Sequence, residues 1–157
     1  MAVVKELIRT EENGAISFGD YELTQKSKLS DYQHQGDMYK VKTFREITKL
    51  ERNGMFVYES VPGTSVFDLV QSADQMDFHV EGPEDAQITV EMEPDTEYEV
   101  FIEQASTGKM KTNRTWTWGY HQFSWLIARR QFIIFINQHT EIARILNDMG
   151  IRKEWHI

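Results

Sequence analysis

The chain has 157 residues, 40% of them hydrophobic and 27% charged, with a formal net charge of −8. That length builds one domain, or one domain with an appendage, and suffices for a proper core. The absence of cysteine removes disulfides, thiolate nucleophiles and cysteine-ligated metals and fits a reducing compartment, while the acidic balance disfavours general nucleic-acid binding, which needs a basic surface.

Residues 3–8 predict a first strand, followed by a turn at residues 11–14. There Asn13-Gly14 supplies the positive φ of a tight hairpin. Residues 15–18 lead into Gly19-Asp20 and a polar stretch over 21–28. His34-Gln35-Gly36-Asp37 predicts another turn, and residues 38–42 alternate as a strand. Residues 43–50 stay open, because Phe44, Ile47 and Leu50 fit helical spacing while residues 47–50 also suit a strand. Asn53-Gly54 predicts a second hairpin, leading into residues 55–58 and closed by Pro62-Gly63-Thr64. Residues 65–70 and 76–80 predict further strands, with a loop over 71–75 between them. A turn at 82–85 feeds the strand over residues 86–92.

Residues 90–100 carry the clearest architectural statement. Val90, Met92, Tyr98 and Val100 are apolar, and Glu91, Glu93, Glu97 and Glu99 fall between them. That is strand alternation on either side of a turn at Pro94-Asp95-Thr96. A Tyr just after such a turn, here Tyr98, resembles the tyrosine corner that pins the crossover between the two sheets of immunoglobulin-like and fibronectin type III sandwiches. Residues 98–102 follow as a strand, 104–108 as a polar turn, and 109–112 open another strand. Short strands at regular intervals predict an all-β fold, an antiparallel β-sandwich, fibronectin III-like in its second half.

After Asn113 the character changes. Residues 1–112 hold 11 Lys/Arg against 22 Asp/Glu, a net of −11, and residues 113–157 hold 6 against 3, a net of +3. All four tryptophans, Trp116, Trp118, Trp125 and Trp155, lie in the second part. The expected division is therefore an acidic sandwich domain over 1–113 and a basic, aromatic tail over 114–157. Residues 114–118 alternate as a strand. Residues 126–136 are apolar apart from Arg129, Arg130 and Gln131. A C-terminal helix is expected at about 140–149, with Thr140 as N-cap, Ile142, Ile145, Leu146 and Met149 on one face, and Gly150 as the stop. The first eight residues lack the apolar core of a signal peptide, which predicts a cytoplasmic protein unless export takes another route. No stretch reaches the roughly 18 apolar residues of a membrane span.

Several segments carry a family likeness. They are Phe18-Gly19-Asp20-Tyr21-Glu22-Leu23, the run from Gly36 through Met38 and Lys42 to Thr43, the run from Leu50 through Asn53 to Met55, and Tyr58-Glu59-Ser60-Val61-Pro62-Gly63-Thr64. Val80-Glu81-Gly82-Pro83-Glu84-Asp85, the corner through Tyr98, and Gly108-Lys109-Met110-Lys111-Thr112-Asn113 complete the set. Over about residues 3–113 the chain resembles a group of small proteins of gut-type Firmicutes that bear the name endosialidase. The resemblance implies internal cleavage of polysialic acid and brings no catalytic residues with it. Proteins of that group continue past Lys-Thr-Asn into a Gly-Lys turn and an acidic final strand, whereas this chain continues into Arg114-Thr115-Trp116-Thr117-Trp118. The joint suggests a shifted reading frame or a fusion, which sequencing of the source gene in independent isolates tests.

A sialic acid site calls for arginines, which grip a carboxylate in a bidentate fork. Before the joint only Arg9, Arg45 and Arg52 are present, in no patterned cluster. Glycoside hydrolysis calls for two carboxylates, or a Tyr with an acidic partner, and acids here are too abundant to single out a pair. Glu91, Glu93, Asp95, Glu97 and Glu99 read as a solvated outer face that blocks edge pairing, with a calcium site as the sharper alternative. His34, His79, His121, His139 and His156 show no ligand spacing, so no metal is expected. His79 reads as facing solvent, and Tyr39 and Tyr58 as packing residues. No phosphate loop or nucleophile elbow is present, and no cofactor is expected.

In the tail, Trp116, Trp118, Tyr120, Phe123 and Trp125 offer an aromatic platform for sugar rings. Residues 126–136 with Arg129 and Arg130 suit a membrane surface or a partner's groove. The plainer reading of these residues, as cover for the sandwich core or as poorly ordered chain, is preferred. The sequence thus points first to a non-catalytic binding or interaction domain for a glycan or protein partner, by fold analogy. The alternatives are an endosialidase-type hydrolase and a cytoplasmic structural or adaptor protein.

Overall fold

The structure, a computed structural model, describes residues 2–72, 75–92, 96–103, 105–111, 122–127 and 130–137. These residues form thirteen strands: β1 (Ile8–Thr10), β2 (Ile16–Phe18), β3 (Ser27–His34), β4 (Asp37–Phe44), β5 (Ile47–Arg52), β6 (Met55–Val61) and β7 (Ser65–Gln71), then β8 (Gln75–Glu81), β9 (Ala86–Glu91), β10 (Glu97–Ile102), β11 (Ala105–Lys111), β12 (Gln122–Ile127) and β13 (Arg130–Asn137). One sheet runs β1-β2-β7-β8-β13-β10-β11 and the other β12-β9-β6-β5-β4-β3. All of these neighbours pair antiparallel. The all-β sandwich read from the alternation is the architecture observed.

The turns explain much of the order. Gln35 and Gly36 have φ of 50° and 85°, and Asn53 and Gly54 have 53° and 79°. Two consecutive positive φ values make the two-residue turn whose twist matches paired strands. They join β3 to β4 and β5 to β6. Residues 43–50 resolve as the end of β4, a turn, and the start of β5. The strand expected over 3–8 is corrected: pairing begins only at Ile8, opposite Phe18. β3 was unforeseen, because its side chains are mostly exposed and the strand is held by its ladder to β4 rather than by a buried face of its own.

Between the sheets, Tyr58 stands edge-on to Phe18 at 5.4 Å and to Phe78 at 5.7 Å between ring centroids. Leu50, Met76, Ile88, Val41, Val66 and Val100 fill the space around them. Each such buried side chain stabilises the fold by roughly 1.5–3 kcal/mol. Tyr39 and Tyr58 are core residues, as read from the sequence. β9 belongs to the six-stranded sheet and β10 to the seven-stranded one. The connection between them therefore changes sheets, and Tyr98, just after it, is 1% exposed in the core. Residues 93–95 of that turn lie outside the described residues.

Two strands from beyond residue 113 belong to these sheets. β12 pairs with β9 at one edge, and β13 lies between β8 and β10. The strand expected over 114–118 and the helix expected over 140–149 lie outside the described residues. Among the described residues no helix is long and apolar enough to cross a membrane.

Candidate functional site

The sandwich has one end closed by buried hydroxyls and one end open. At the closed end Thr48 Oγ1 donates to Thr64 O at 2.7 Å and accepts from Thr64 N–H at 3.1 Å. Its single hydrogen is thereby committed, so the 2.8 Å contact with Thr43 Oγ1 has Thr43 as donor. Thr43 Oγ1 in turn accepts from Asp20 N–H. Thr64 Oγ1 meets Tyr58 OH at 2.8 Å and Ser60 Oγ at 2.7 Å, and Ser65 Oγ donates to Gly19 O. Complete burial pushes the Tyr58 phenol well above its ordinary range, against the pull of its Thr64 and Ser60 contacts. The hydroxyls are satisfied among themselves and pin the ends of β4 and β5 to the start of β7.

The open end offers a mouth. The β1–β2 and β3–β4 turns, the end of β5 and the end of β7 converge there on a cavity of ≈130 Å³. Ile16, Tyr39, Val57 and Leu69 supply apolar surface, and Asn13, His34, Gln35, Arg52 and Gln71 supply polar groups. Hydrogen bonds hold the rim across the two sheets. Thr10 Oγ1 lies 2.9 Å from Tyr32 OH and 3.0 Å from His34 Nδ1. Gln35 Nε2 donates to Gly14 O at 3.2 Å, and Arg52 donates to Gln71 Oε1 at 3.2 Å. The His34 ring stands edge-on to Tyr39 at 5.8 Å. Carboxamides, an imidazole and a guanidinium in fixed positions over apolar surface suit a small polar ligand group, and the volume admits a group rather than a whole ligand.

The three arginines before the joint do not converge. Arg9 is paired with Glu11 at 3.0 Å and Glu6 at 3.5 Å, and lies 5.9 Å from the Phe67 ring centroid. Glu11 accepts from the Ser17 hydroxyl as well as from Arg9, and these contacts hold its carboxylate below the usual range. Arg45 lies on a wide depression with Glu46, Val61, Pro62, Pro83 and Glu84. Arg52 alone of the three reaches the mouth.

Of the sugar-platform residues, Trp116, Trp118 and Tyr120 lie outside the described residues, and Trp125 is on β12, opposite Ile88 in register. The acidic face needs correction. Glu99 is 5% exposed and accepts from Ser106 Oγ at 2.6 Å. β10 lies between β13 and β11 and is no edge strand, so its acid row neither blocks pairing nor is wholly solvated. No group of three metal-ligating side chains is present among the described residues. His79 is part-buried, with its ring 6.3 Å from Phe67, rather than turned into solvent. Asp77, unremarked in the sequence, is 5% exposed on the face away from the core cluster, opposite Ile134. Burial, with Asp68 adding, pushes its carboxyl up to about 6, against a backbone hydrogen bond. No family model, curated protein or solved structure matches the chain.

Proposed function

We propose that the chain is a non-catalytic binding domain that takes a carbohydrate unit at the mouth of the sandwich. The mouth carries the proposal: Asn13, Gln35, Gln71, His34 and Arg52 surround its apolar surface, and among the described residues no carboxylate lines it. Carboxamides donate and accept together, which matches the alternating hydroxyls of a sugar. Arg52 adds a fork for a carboxylate-bearing sugar. The rival hydrolase reading calls for two carboxylates about 5–9.5 Å apart beside the bound sugar. Glu46 and Glu84 beside Arg45 are the described candidates for it. They lie on a wide, shallow surface with one arginine, which favours contact over catalysis.

The full chain, incubated with neutral oligosaccharides and with a sialic acid polymer, tests this by retention and by polymer length. Retention without shortening is expected, lost in Arg52→Ala. Shortening of the polymer that stops in Glu46→Gln or Glu84→Gln would establish the hydrolase instead. Failure to retain any glycan removes carbohydrate as the ligand.

A further inference from the structure

Residues 1–112 carry a net charge of −11, yet five of their 11 basic residues gather on one face. In register, Lys28 of β3 stands opposite Lys42 of β4, and Lys42 opposite Lys49 of β5. Lys40 lies two residues from Lys42, on the same face of the pleat. Lys26, just before β3, has its Nζ 5.9 Å from the ring centroid of Phe44, on that face too. Lys28, Lys40, Lys42 and Lys49 line a shallow depression with Glu51. With strands about 4.8 Å apart and alternate residues about 7 Å apart, the array spans roughly 10 by 7 Å.

Like charges directly opposite on a sheet destabilise it. Lysine on an edge strand discourages strand addition, which accounts for Lys28 on β3. It does not account for Lys42 and Lys49, which sit on interior strands. The acids on this face are too few to compensate. Glu51 lies 3.5 Å from Lys49 Nζ, and Glu59 stands opposite Lys49. Burial first, then Lys26, Lys49 and Lys28, hold the Lys42 amine below its usual range, with Glu59 opposing. The free protein thus carries a repulsion that a bound anion relieves.

We propose that this face binds a short acidic segment of a partner protein, laid across β3, β4 and β5. The inference does not rest on the mouth, because these lysines project from the outer side of the sheet whose inner side holds Val41 and Leu50. Lysine is a point charge on a long stem and accepts carboxylates without a fixed geometry. The array spans only about three residues of extended chain. A long polyanion such as a nucleic acid runs past it, within about 8 Å of an acidic surface, where repulsion is only partly screened.

Titration of the full chain with a hexaglutamate peptide tests this, beside a single-stranded oligodeoxythymidine. Saturable peptide binding that weakens as salt rises is expected. It falls at least about tenfold in Lys42→Glu/Lys49→Glu and is unchanged in Lys5→Glu, which lies outside the array. Lys42→Glu alone, which sets one acid between Lys28 and Lys49, is expected to melt about 2 °C higher, because the two opposed lysines then face an acid. No saturable binding at low salt, an equal loss in Lys5→Glu, a lower melting temperature of Lys42→Glu, or tighter binding of the oligonucleotide would overturn the proposal.

Discussion

Replacing Thr48 with valine keeps shape and removes one hydroxyl. That hydroxyl serves three buried groups: the N–H and C=O of Thr64 and the hydroxyl of Thr43. All three residues are at most 1% exposed, so water does not replace the lost partner. Each buried group left unsatisfied costs about 1–3 kcal/mol, and the carbonyl, with a second lone pair, sits at the low end. The added methyl returns about 1 kcal/mol. The net expectation is a loss of about 2–6 kcal/mol, or roughly 5–20 °C in melting temperature for a chain of this size. Tyr58→Phe removes only one of the two partners of Thr64 Oγ1, leaving Ser60, and is expected to cost about 1 kcal/mol. Urea unfolding with an unchanged slope measures both. A Thr48→Val variant within about 0.5 kcal/mol of the parent, or one less damaging than Tyr58→Phe, refutes the reasoning.

The remaining predictions concern backbone approach and pH. A Cβ on Gly63 would lie 2.0 Å from Phe44 O, so Gly63→Ala forces two backbone segments apart. A loss above about 3 kcal/mol, or failure to fold, is expected, and a soluble variant with unchanged melting contradicts the geometry. Asp77 is held at about 6 against an ordinary 3.8, so the folded state keeps its proton between about pH 4 and 6 while the unfolded state has lost it. Stability from this group therefore falls as pH rises through that window. Asp77→Asn removes the penalty. The variant is expected to be more stable at pH 7 by about 1 kcal/mol, after allowing for solvent screening, with no difference near pH 4. A gain that is independent of pH would count against the assignment.

The sequence spoke clearly where a single residue has a single physical use. Gly36 and Gly54 hold positive φ at hairpin turns, and nothing else fits so cheaply there. The alternation through Tyr39 and Val41, and through Tyr98 and Val100, names the core side of its strands. The mouth was not legible, because Asn13, His34, Arg52 and Gln71 lie on four separate segments and meet only through register. The lysine array was hidden for the same reason: positions 28, 42 and 49 are remote in sequence and adjacent across strands. Glu99 misled because alternating acids suggest a wet face, whereas its strand is flanked on both sides. The apolar run over 126–136 fits a buried strand as well as an amphipathic surface segment, and only pairing places Arg130–Asn137 between β8 and β10.

The central claim is that the open end of the sandwich is the binding site. Backbone amide shifts of the isotopically labelled full chain, followed while a retained oligosaccharide is titrated in, test it most directly. Saturable shifts at Gly14, His34, Gln35, Arg52 and Gln71, abolished in Arg52→Ala while that variant's melting stays within about 0.5 kcal/mol of the parent, are predicted. Shifts gathered instead around Arg45, Glu46 and Glu84 would place the ligand at the far end of β4 and contradict the account.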